Sequence, residues 1–382
     1  MKKFITVVFI LFFLLGCASS DYNSLVRASL SKKPTVALKS FAQKKSTYYI
    51  RHPKQLVRDI NFLTHFKTNI SKFWGKNNIV IPQKKEYVKY LQNYKSRALI
   101  DFTKGRVRVE TLGSKKDLKQ SIVMTLLLPD DPRSVDLFGA KNVKLGGMPY
   151  LFGEVQDDMG KNIRYKWRAN RYANILLKNN YKTTTLKRNG RSVKMSYVEF
   201  PMVRDHANIR VAKFKPLVKK YAKRYNISEN LVYAIIKTES DFNQFAVSRS
   251  GAYGLMQIMP KTAGRDAYLH VKGKKYTPSK EYLFNANNNI ELGVAYLNIL
   301  DKKYLAGIYN FVSREYCVIS AYNTGSGNVL KIFHKDRQKA KRVINRLGPQ
   351  SVYTKLRKRL PYKETRRYLQ KVVIAKKEFV HI

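Results

Sequence analysis

The sequence predicts an α+β N-terminal domain followed by an all-α C-terminal domain. Two stretches of the first half, residues 96–112 and 183–200, alternate apolar and polar side chains on both sides of a Lys-Gly or Asn-Gly dipeptide, which is the pattern of a β-hairpin. From Pro216 onward the apolar residues recur at helical spacing instead. A chain of 382 residues is long enough to bury two hydrophobic cores.

Two further segments complete the predicted N-terminal domain. Residues 164–179 have the apolar spacing of a helix, and the apolar run at 121–129 fits either a strand or a buried segment. No cluster of charged or polar residues in this half indicates chemistry, so we expect a binding or scaffold domain. We place the boundary in the stretch 201–215, which gives an N-terminal domain at 17–205 and a C-terminal domain at 206–382.

Helices dominate the predicted C-terminal domain. They are expected at residues 216–226, 228–240, 289–305, 314–325 and 363–379. The segment 264–286 is polar and is expected to form an exposed insertion.

The chain carries 75 Lys and Arg against 25 Asp and Glu, a formal net charge of +50. Such an excess suits a polyanionic setting, which nucleic acid, an anionic membrane surface or an acidic polymer would supply. It is equally consistent with an organism whose proteins are basic throughout. No nucleic-acid-binding motif accompanies the charge, and the export signal at the N-terminus argues against a nucleic-acid partner.

The first residues have the features of a secretory signal. A basic start precedes the apolar run Phe4–Leu15, which is too short for a membrane span of about 20 residues. The following Leu-Leu-Gly-Cys resembles the lipobox of bacterial lipoproteins, so residues 1–16 are expected to be removed and Cys17 to be lipidated. The alternative is an ordinary signal peptide with a chance cysteine. Ala18 in place of aspartate favours anchoring in the outer membrane, facing the periplasm.

Cysteine and histidine usage limit the chemistry further. If Cys17 is lipidated, Cys317 has no partner and no intramolecular disulfide can form. Cys317 lies beside apolar residues and is predicted to be a small buried hydrophobe rather than a catalytic thiol. The six histidines are scattered along the chain, so neither a metal site nor a cofactor is predicted.

A glutamate at the end of an apolar helix is the leading candidate for a catalytic residue. Ser228 is predicted to cap the N-terminus of this helix. Leu231 and Ile235 belong to an apolar face that places Glu239 on the buried side, whereas Asp241, two residues further on, faces elsewhere. An apolar setting and the helix C-terminus both favour a protonated carboxyl, which suits a general acid. The alternative is a glutamate at the surface.

Four short motifs follow one another in the C-terminal half. They are Glu-Ser at 239–240, Gly-Leu-Met-Gln-Ile-Met-Pro at 254–260, Ala-Tyr-Asn-Thr-Gly at 321–325 and Glu-Thr-Arg-Arg-Tyr-Leu at 364–369. Their order and spacing resemble the catalytic domain of the lytic transglycosylases over about residues 210–380. With the lipobox and the α+β first half, the chain is most similar to the membrane-bound lipoprotein type C. The resemblance implies a lysozyme-like (goose-type) fold for the C-terminal domain.

The resemblance also implies the residues of the active site. Glu239 would be the single acid and base. The other matching positions would bind the substrate: Ser248, Gln257 and Tyr322 beside the carboxyl and the sugar, Met256, Met259 and Asn323 along the cleft, and Glu364 and Tyr368 from the last helix. Tyr368 also fits simple core packing. Thr324 and Leu369 differ from the residues usual in the family, but neither is one of these positions.

The implied reaction is cleavage of peptidoglycan strands without water, in cell-wall turnover. Glu239 would protonate the β-1,4 glycosidic oxygen between N-acetylmuramic acid and N-acetylglucosamine, and the C6 hydroxyl would then close a 1,6-anhydro ring. A single carboxyl in the motifs fits this lyase reaction, since most glycosidases need two. The alternatives are a hydrolytic muramidase on the same fold and a non-catalytic peptidoglycan-binding lipoprotein. The basic surface would suit anionic lipid and the carboxylates of peptide stems.

Overall fold

A computed structural model describes residues 68–131, 140, 143, 145–188, 190–248 and 250–380. The expected signal peptide and Cys17 lie outside these residues. None of the described helices is long and apolar enough to cross a membrane. The chain divides into two compact units. The first comprises Met1–Ala212 with the short segments Phe245–Tyr253 and Ser279–Glu281, and the second comprises Lys213–Gln244, Gly254–Pro278 and Tyr282–Ile382.

The first unit is built around an antiparallel sheet with five strands among the described residues, in the order β1-β2-β3-β5-β4. The strands are β1 Glu86–Leu91, β2 Ser96–Asp101, β3 Arg106–Thr111, β4 Lys182–Arg188 and β5 Arg191–Pro201. Both predicted hairpins are therefore confirmed. In the β2–β3 turn Gly105 has φ +60°, and a Cβ there would lie 2.5 Å from His206 Nε2, so this turn requires glycine.

Two helices pack on one another and on this sheet. They are α1 Lys115–Leu126 and α2 Lys166–Asn179. The predicted helix at 164–179 is thus confirmed. The run at 121–129 is helical as far as Leu126 and largely buried, so the strand alternative is wrong and the buried segment is correct. A capping box starts α1, because the Ser114 hydroxyl accepts the Asp117 N–H while the Asp117 carboxylate accepts the Ser114 N–H.

The second unit is helical. Its helices start with α3 His206–Tyr225, inside which the division between the units falls, and α4 Glu229–Ser240. They continue with α5 Ala263–Lys272, α6 Lys280–Phe284, α7 Ala286–Ile299, α8 Phe311–Thr324, α9 Ser326–Lys331, α10 Arg337–Asn345, α11 Pro349–Arg359 and α12 Lys363–Glu378. The predicted helices are confirmed, but α3 begins well before Pro216. Its first half buries Val211 and Phe214. The predicted start at Pro216 is wrong because proline, although common in the first turn of a helix, lies here inside one.

The segment 264–286 is not the exposed insertion that the sequence predicts. Helices α5 and α6 occupy most of it, and they bury Ala267, Leu283 and Phe284. The exposed residues are 272–276, around Gly273, which ends α5 in the left-handed conformation, together with Arg265, Asp266, Leu269, His270 and Glu281 on the outer faces of the two helices. The polar composition concealed these helices because each of them buries only a few side chains.

The core of the second unit encloses α4. Residues 231–236 are all buried, so the helix is covered on every side rather than along one stripe. The ring of Tyr233 stacks on Phe379 at 5.3 Å between centroids, and the ring of Phe242 stacks on Phe214 at 6.3 Å. Close packing of this kind leaves little freedom, so the residue at the end of α4 has a fixed position.

Candidate active site

Glu239 occupies the last turn of α4, and its side chain is buried, with 4% of the residue exposed. The helix begins as predicted, with the Ser228 hydroxyl accepting the Leu231 N–H at 3.2 Å. It ends at Asp241, which adopts the left-handed conformation at φ 54°. The Asp241 carboxylate pairs with Lys237 at 2.7 Å, one turn back along the helix. The predicted burial of Glu239 is confirmed.

Two tyrosines from later helices lie close enough to Glu239 for its charge to act on them: Tyr322 of α8 and Tyr368 of α12. Burial raises the pKa of both hydroxyls well above the ordinary 10.0, and the charge of Glu239 raises it further. For Tyr368, hydrogen bonding to the Glu239 carboxyl adds to the effect. This interaction falls short of a regular hydrogen bond, since by distance and angle the Tyr368 hydroxyl has no partner in the described part of the chain. Both tyrosines therefore stay neutral at physiological pH.

The hydroxyl of Tyr322 has a defined partner. It donates to the main-chain oxygen of Met256 at 2.8 Å, and its ring packs against Tyr296 at 5.7 Å between centroids. The next residue, Asn323, accepts the hydroxyl of Thr365 at 2.6 Å, which ties α8 to the first turn of α12. These bonds fix Tyr322 between the last helix and the loop that contains Met256.

A buried asparagine holds the loop at 254–260 against α7. The Asn289 side chain accepts the Met256 N–H at 2.8 Å and donates to the main-chain oxygen of Leu283 at 2.7 Å. Gly254 has φ +78°, and a Cβ at this position would lie 2.2 Å from Asn289 Nδ2. The loop can approach α7 this closely only because residue 254 is glycine.

Met256 supports this loop rather than lining a cleft. Its side chain is fully buried, and a Cβ on Gly293 of α7 would lie 2.3 Å from its sulfur. A side chain without exposed surface offers no contact to a sugar in this conformation, so the expected substrate contact of Met256 is replaced by a structural role. The Ser240 hydroxyl adds to the support through a hydrogen bond of 2.7 Å to the Leu255 main-chain oxygen.

Three other predicted positions lie in the second unit. Gln257 is buried with φ +50°, and its Nε2 donates to the Gly254 main-chain oxygen at 2.9 Å. Met259 is partly exposed in the same loop. Glu364 is exposed in the first turn of α12, one turn before Tyr368 and therefore on the same side of that helix.

One predicted position, Ser248, belongs to the first unit. It lies in the segment Phe245–Tyr253. Its hydroxyl accepts the N–H groups of Ser250 and Ala252, at 3.2 and 2.9 Å. The hydroxyl therefore orders its own turn, and its contact with substrate stays a prediction.

Asn289 and Gly293 were missed in the sequence because the groups they contact are remote in the chain. Both lie within the apolar stretch of α7. A buried asparagine needs hydrogen-bond partners, and a glycine inside a helix costs about 1 kcal/mol relative to alanine. A buried asparagine followed one turn later by a glycine in the same helix is thus the signal that indicates a closely approaching backbone.

Several other carboxylates of the second unit serve in ion pairs. Glu291 pairs with Arg224 and Lys272, Asp301 with Arg314 and Lys302, and Glu315 with Lys376. A carboxylate that neutralises a fixed cation is poorly suited to accept a proton, because the cation favours its charged form. Glu239 and the exposed Glu364 are the glutamates of the motifs.

Cys317 is fully buried, and burial raises the pKa of its thiol to about 12. The prediction of a small buried hydrophobe is confirmed, since a neutral, inaccessible thiol is unreactive. In the ranges that the structure describes, no group of three or more His, Cys, Asp or Glu could hold a metal ion.

The first unit contains a cavity of about 270 Å³ beside β1, β2 and β3. Charged side chains line it, and its cations are already paired with carboxylates. Arg106 and Arg108 both pair with Glu199, at 2.9 and 3.5 Å, and Lys104 pairs with Asp101 at 3.8 Å. The cavity is therefore a weaker candidate for chemistry than the surroundings of Glu239.

Solved structures with some likeness to the chain are lytic transglycosylases. An inactive mutant of the lytic transglycosylase Slt from Pseudomonas aeruginosa is 26% identical over 42% of this chain and 23% of its own, with a TM-score of 0.32. The 70 kDa soluble lytic transglycosylase from Escherichia coli is 25% identical over 43% of this chain and 23% of its own, with a TM-score of 0.34.

Family models and curated relatives give a closer match. Residues 49–213 match the N-terminal domain of membrane-bound lytic murein transglycosylase C, and residues 216–345 match the transglycosylase SLT domain. Two relatives, from Yersinia pestis (strain Pestoides F) and Yersinia pseudotuberculosis serotype O:1b (strain IP 31758), are named membrane-bound lytic murein transglycosylase C. Each is 43% identical over 331 residues, which is 85% of this chain and 91% of the relative. The chain therefore belongs to the membrane-bound lytic murein transglycosylase C family.

Proposed function

We propose that this chain is a lytic transglycosylase that cleaves the β-1,4 bond between N-acetylmuramic acid and N-acetylglucosamine in peptidoglycan, without water, during cell-wall turnover. The observation that carries the proposal is the buried Glu239 carboxyl at the end of α4, with the neutral hydroxyls of Tyr322 and Tyr368 close to it. The name of the relatives, lytic murein transglycosylase, supports the same reaction.

Glu239 acts first as the general acid. Its protonated and ionised forms can each use a different hydrogen-bond partner. The Tyr322 proton is committed to the Met256 carbonyl, so the Tyr322 oxygen offers lone pairs that can accept the proton of the neutral carboxyl. The Tyr368 hydroxyl can instead donate to the carboxylate. A carboxyl supported in both forms can give up a proton and take it back.

The reaction conserves protons and consumes no water. Glu239 transfers its proton to the glycosidic oxygen, the bond from C1 to that oxygen breaks, and N-acetylglucosamine leaves with a free 4-hydroxyl. The N-acetyl group of the muramoyl residue stabilises the positive charge at C1. The C6 hydroxyl then bonds to C1 while its proton passes to the Glu239 carboxylate, which restores the acid. An intramolecular nucleophile has an advantage of about 7–11 kcal/mol over one from solution.

The remaining motif residues are proposed to hold the glycan strand. Gln257 and Asn323 offer amide groups that can both donate and accept hydrogen bonds to sugars, and Met259 offers apolar surface. Glu364 and Ser248 are assigned to substrate positioning. Individual alanine substitutions should raise KM more than they lower kcat, and an unchanged KM in any one of them would remove that residue from the set.

The family name indicates an association with a membrane. We propose that the mature chain starts at Cys17, that lipid on this cysteine anchors it in the outer membrane facing the periplasm, and that the catalytic domain spans residues 206–382 behind an N-terminal domain at 17–205. The Cys17→Ser protein should leave the membrane fraction in high salt. Its retention there would argue against the lipid anchor.

The experiment that tests the proposed function is Glu239→Gln, which removes the acid but keeps its size. Solubilisation of sacculi should fall by roughly 10²–10⁴-fold, with little change in thermal unfolding. Glu364→Gln is the matched control, because this carboxyl is exposed, and it should retain kcat. Turnover by Glu239→Gln near that of the wild type would refute the assignment. Binding of sacculi without any cleavage by the wild type would make the chain a binding lipoprotein.

A further inference from the structure

The first unit exposes apolar side chains that the proposed reaction does not use. Met159, Tyr165 and Trp167 are 63%, 58% and 60% exposed. Met159 lies in the turn that precedes α2, and Trp167 lies in the first turn of α2. We refer to these three residues as the Trp167 patch. Single exposed apolar residues are ordinary, but a group of them marks an interaction surface.

One buried carboxylate holds the two parts of the Trp167 patch together. Asp157 Oδ1 accepts the N–H groups of Met159 and Lys161, at 3.0 and 2.9 Å, which fixes the turn. Asp157 Oδ2 accepts a hydrogen bond from Arg168 at 2.5 Å, which joins this turn to the first turn of α2. The patch is therefore preformed, and little conformational freedom is lost when it binds.

Positive charge surrounds the Trp167 patch. The cations of this region are Lys161, Arg164, Lys166, Arg168 and Arg171, and its carboxylates are Asp157 and Asp158. Both carboxylates are already engaged, Asp157 with Arg168 and Asp158 with Arg171. Lys161, Arg164 and Lys166 are exposed and form no ion pair with any residue that the structure describes. The surroundings of the patch thus carry cations without counter-charge.

We propose that the Trp167 patch docks on the surface of an anionic phospholipid bilayer. Tryptophan and tyrosine side chains favour the boundary between headgroups and hydrocarbon, and the apolar Met159 can enter the same layer. The surrounding lysines and arginines are attracted to anionic headgroups. Docking orients the first unit on the membrane, which a lipid at the N-terminus alone would not do.

A glycan strand is the rival occupant, and the geometry favours it less. The Arg168 guanidinium lies over the Trp167 ring at 4.6 Å from the centroid, and the Arg164 guanidinium lies over the Tyr165 ring at 5.8 Å. One face of each ring is therefore occupied, whereas sugars stack on ring faces. The glycan backbone itself is neutral and offers counter-charge only through the carboxylates of its peptide stems, whereas anionic headgroups supply it across a whole bilayer surface.

The native fluorescence of the full-length protein reports docking directly. The chain has two tryptophans, and Trp74 is fully buried, so a lipid-borne quencher reaches Trp167. The protein is reconstituted into vesicles of phosphatidylethanolamine and phosphatidylglycerol with brominated acyl chains, and into brominated phosphatidylcholine vesicles. We expect quenching and a blue shift in the anionic vesicles, neither effect in Trp167→Phe, and little change in phosphatidylcholine. Emission that is insensitive to brominated anionic lipid would overturn the proposal.

Charge-reversal variants distinguish docking through the Trp167 patch from a general electrostatic attraction of the protein to anionic vesicles. Arg164→Glu with Lys166→Glu should lower the ratio of docked to undocked protein by about tenfold or more, because each cation near an anionic surface adds to its attraction. Arg191→Glu with Lys194→Glu, both exposed on the β4–β5 hairpin, makes the same change in net charge and should leave the quenching intact. Equal losses in the two variants would overturn the proposal.

Glycan binding has its own readout. In detergent solution, without vesicles, Trp167→Ser should digest sacculi and bind lipid-free glycan strands as the wild type does, since the Trp167 patch lies outside the proposed active site. Weaker binding of glycan strands by Trp167→Ser, together with unquenched wild-type emission, would assign the patch to the glycan and overturn membrane docking.

Discussion

The hydroxyl of Tyr322 and the main-chain carbonyl of Met256 are joined by a hydrogen bond of 2.8 Å. This bond links α8 to the loop at 254–260 and fixes the direction of the Tyr322 proton. Because that proton points at Met256, the Tyr322 oxygen can act toward Glu239 only as an acceptor. The bond thus commits the Tyr322 proton to the loop rather than to Glu239.

Tyr322→Phe should lower kcat by roughly 10–100-fold, because the loop loses its tie to α8 and the neutral carboxyl loses an acceptor. The cost in stability should be only about 1 kcal/mol. The control is Tyr296→Phe, whose ring packs against Tyr322, and it should keep the wild-type kcat. A kcat for Tyr322→Phe equal to that of the wild type would contradict the role of this hydroxyl.

Gly254→Ala should destabilise the protein by about 2–5 kcal/mol, since the new methyl group meets Asn289 and Leu283 and the left-handed backbone strains any side chain. Gly273→Ala is the matched control. Gly273 has a similar φ of +67° but no atom within 4 Å of the added Cβ, so about 1–2 kcal/mol is expected from the backbone alone. Urea unfolding measures the loss of stability in both variants. Equal losses would mean that the close approach of the loop to α7 adds nothing to the destabilisation by the Gly254→Ala methyl group.

Stability should fall steeply on the alkaline side. Burial raises the pKa of Tyr233 and Tyr296 to about 12 from 10.0, and that of Cys317 to about 12 from 9.0. The folded protein thus binds more protons than the unfolded chain between these values, and its stability is complete below pH 9 and is lost as pH rises toward 12. Urea unfolding across this range tests it. Cys317→Ala should reduce the slope of the unfolding free energy against pH. A slope equal to that of the wild type would mean that the thiol does not contribute to the loss of stability.

Short motifs in the sequence predict the parts of the fold that depend on neighbouring residues. The Ser228 cap defines the start of α4, and a Gly-containing turn defines each hairpin. The run at 121–129 has no alternation to separate helix from strand, and the capping box at Ser114 decides the outcome. The polar segment at 264–286 is helical for reasons of packing that its composition does not show.

The candidate site divides in the same way. The burial of Glu239 could be predicted from its spacing after Ile235, because both residues lie on the same face of one helix. The approach of Tyr322 and Tyr368 brings together residues far apart in the chain, and only the resemblance to a family indicated it. The dependence of Gly254 on Asn289 could not be read at all, since it requires the distance between a loop and α7.

The measurement that tests the central claim most directly is the mass of the products released from sacculi by the full-length protein. If the C6 hydroxyl is the nucleophile, the released muropeptides end in 1,6-anhydro-N-acetylmuramic acid and are one water lighter than the corresponding reducing-end products. We expect this lighter species to dominate the digest of the wild-type protein and to disappear with Glu239→Gln. A digest dominated by the heavier, reducing-end species would contradict it, and would make the exposed Glu364 carboxyl the candidate for activating water.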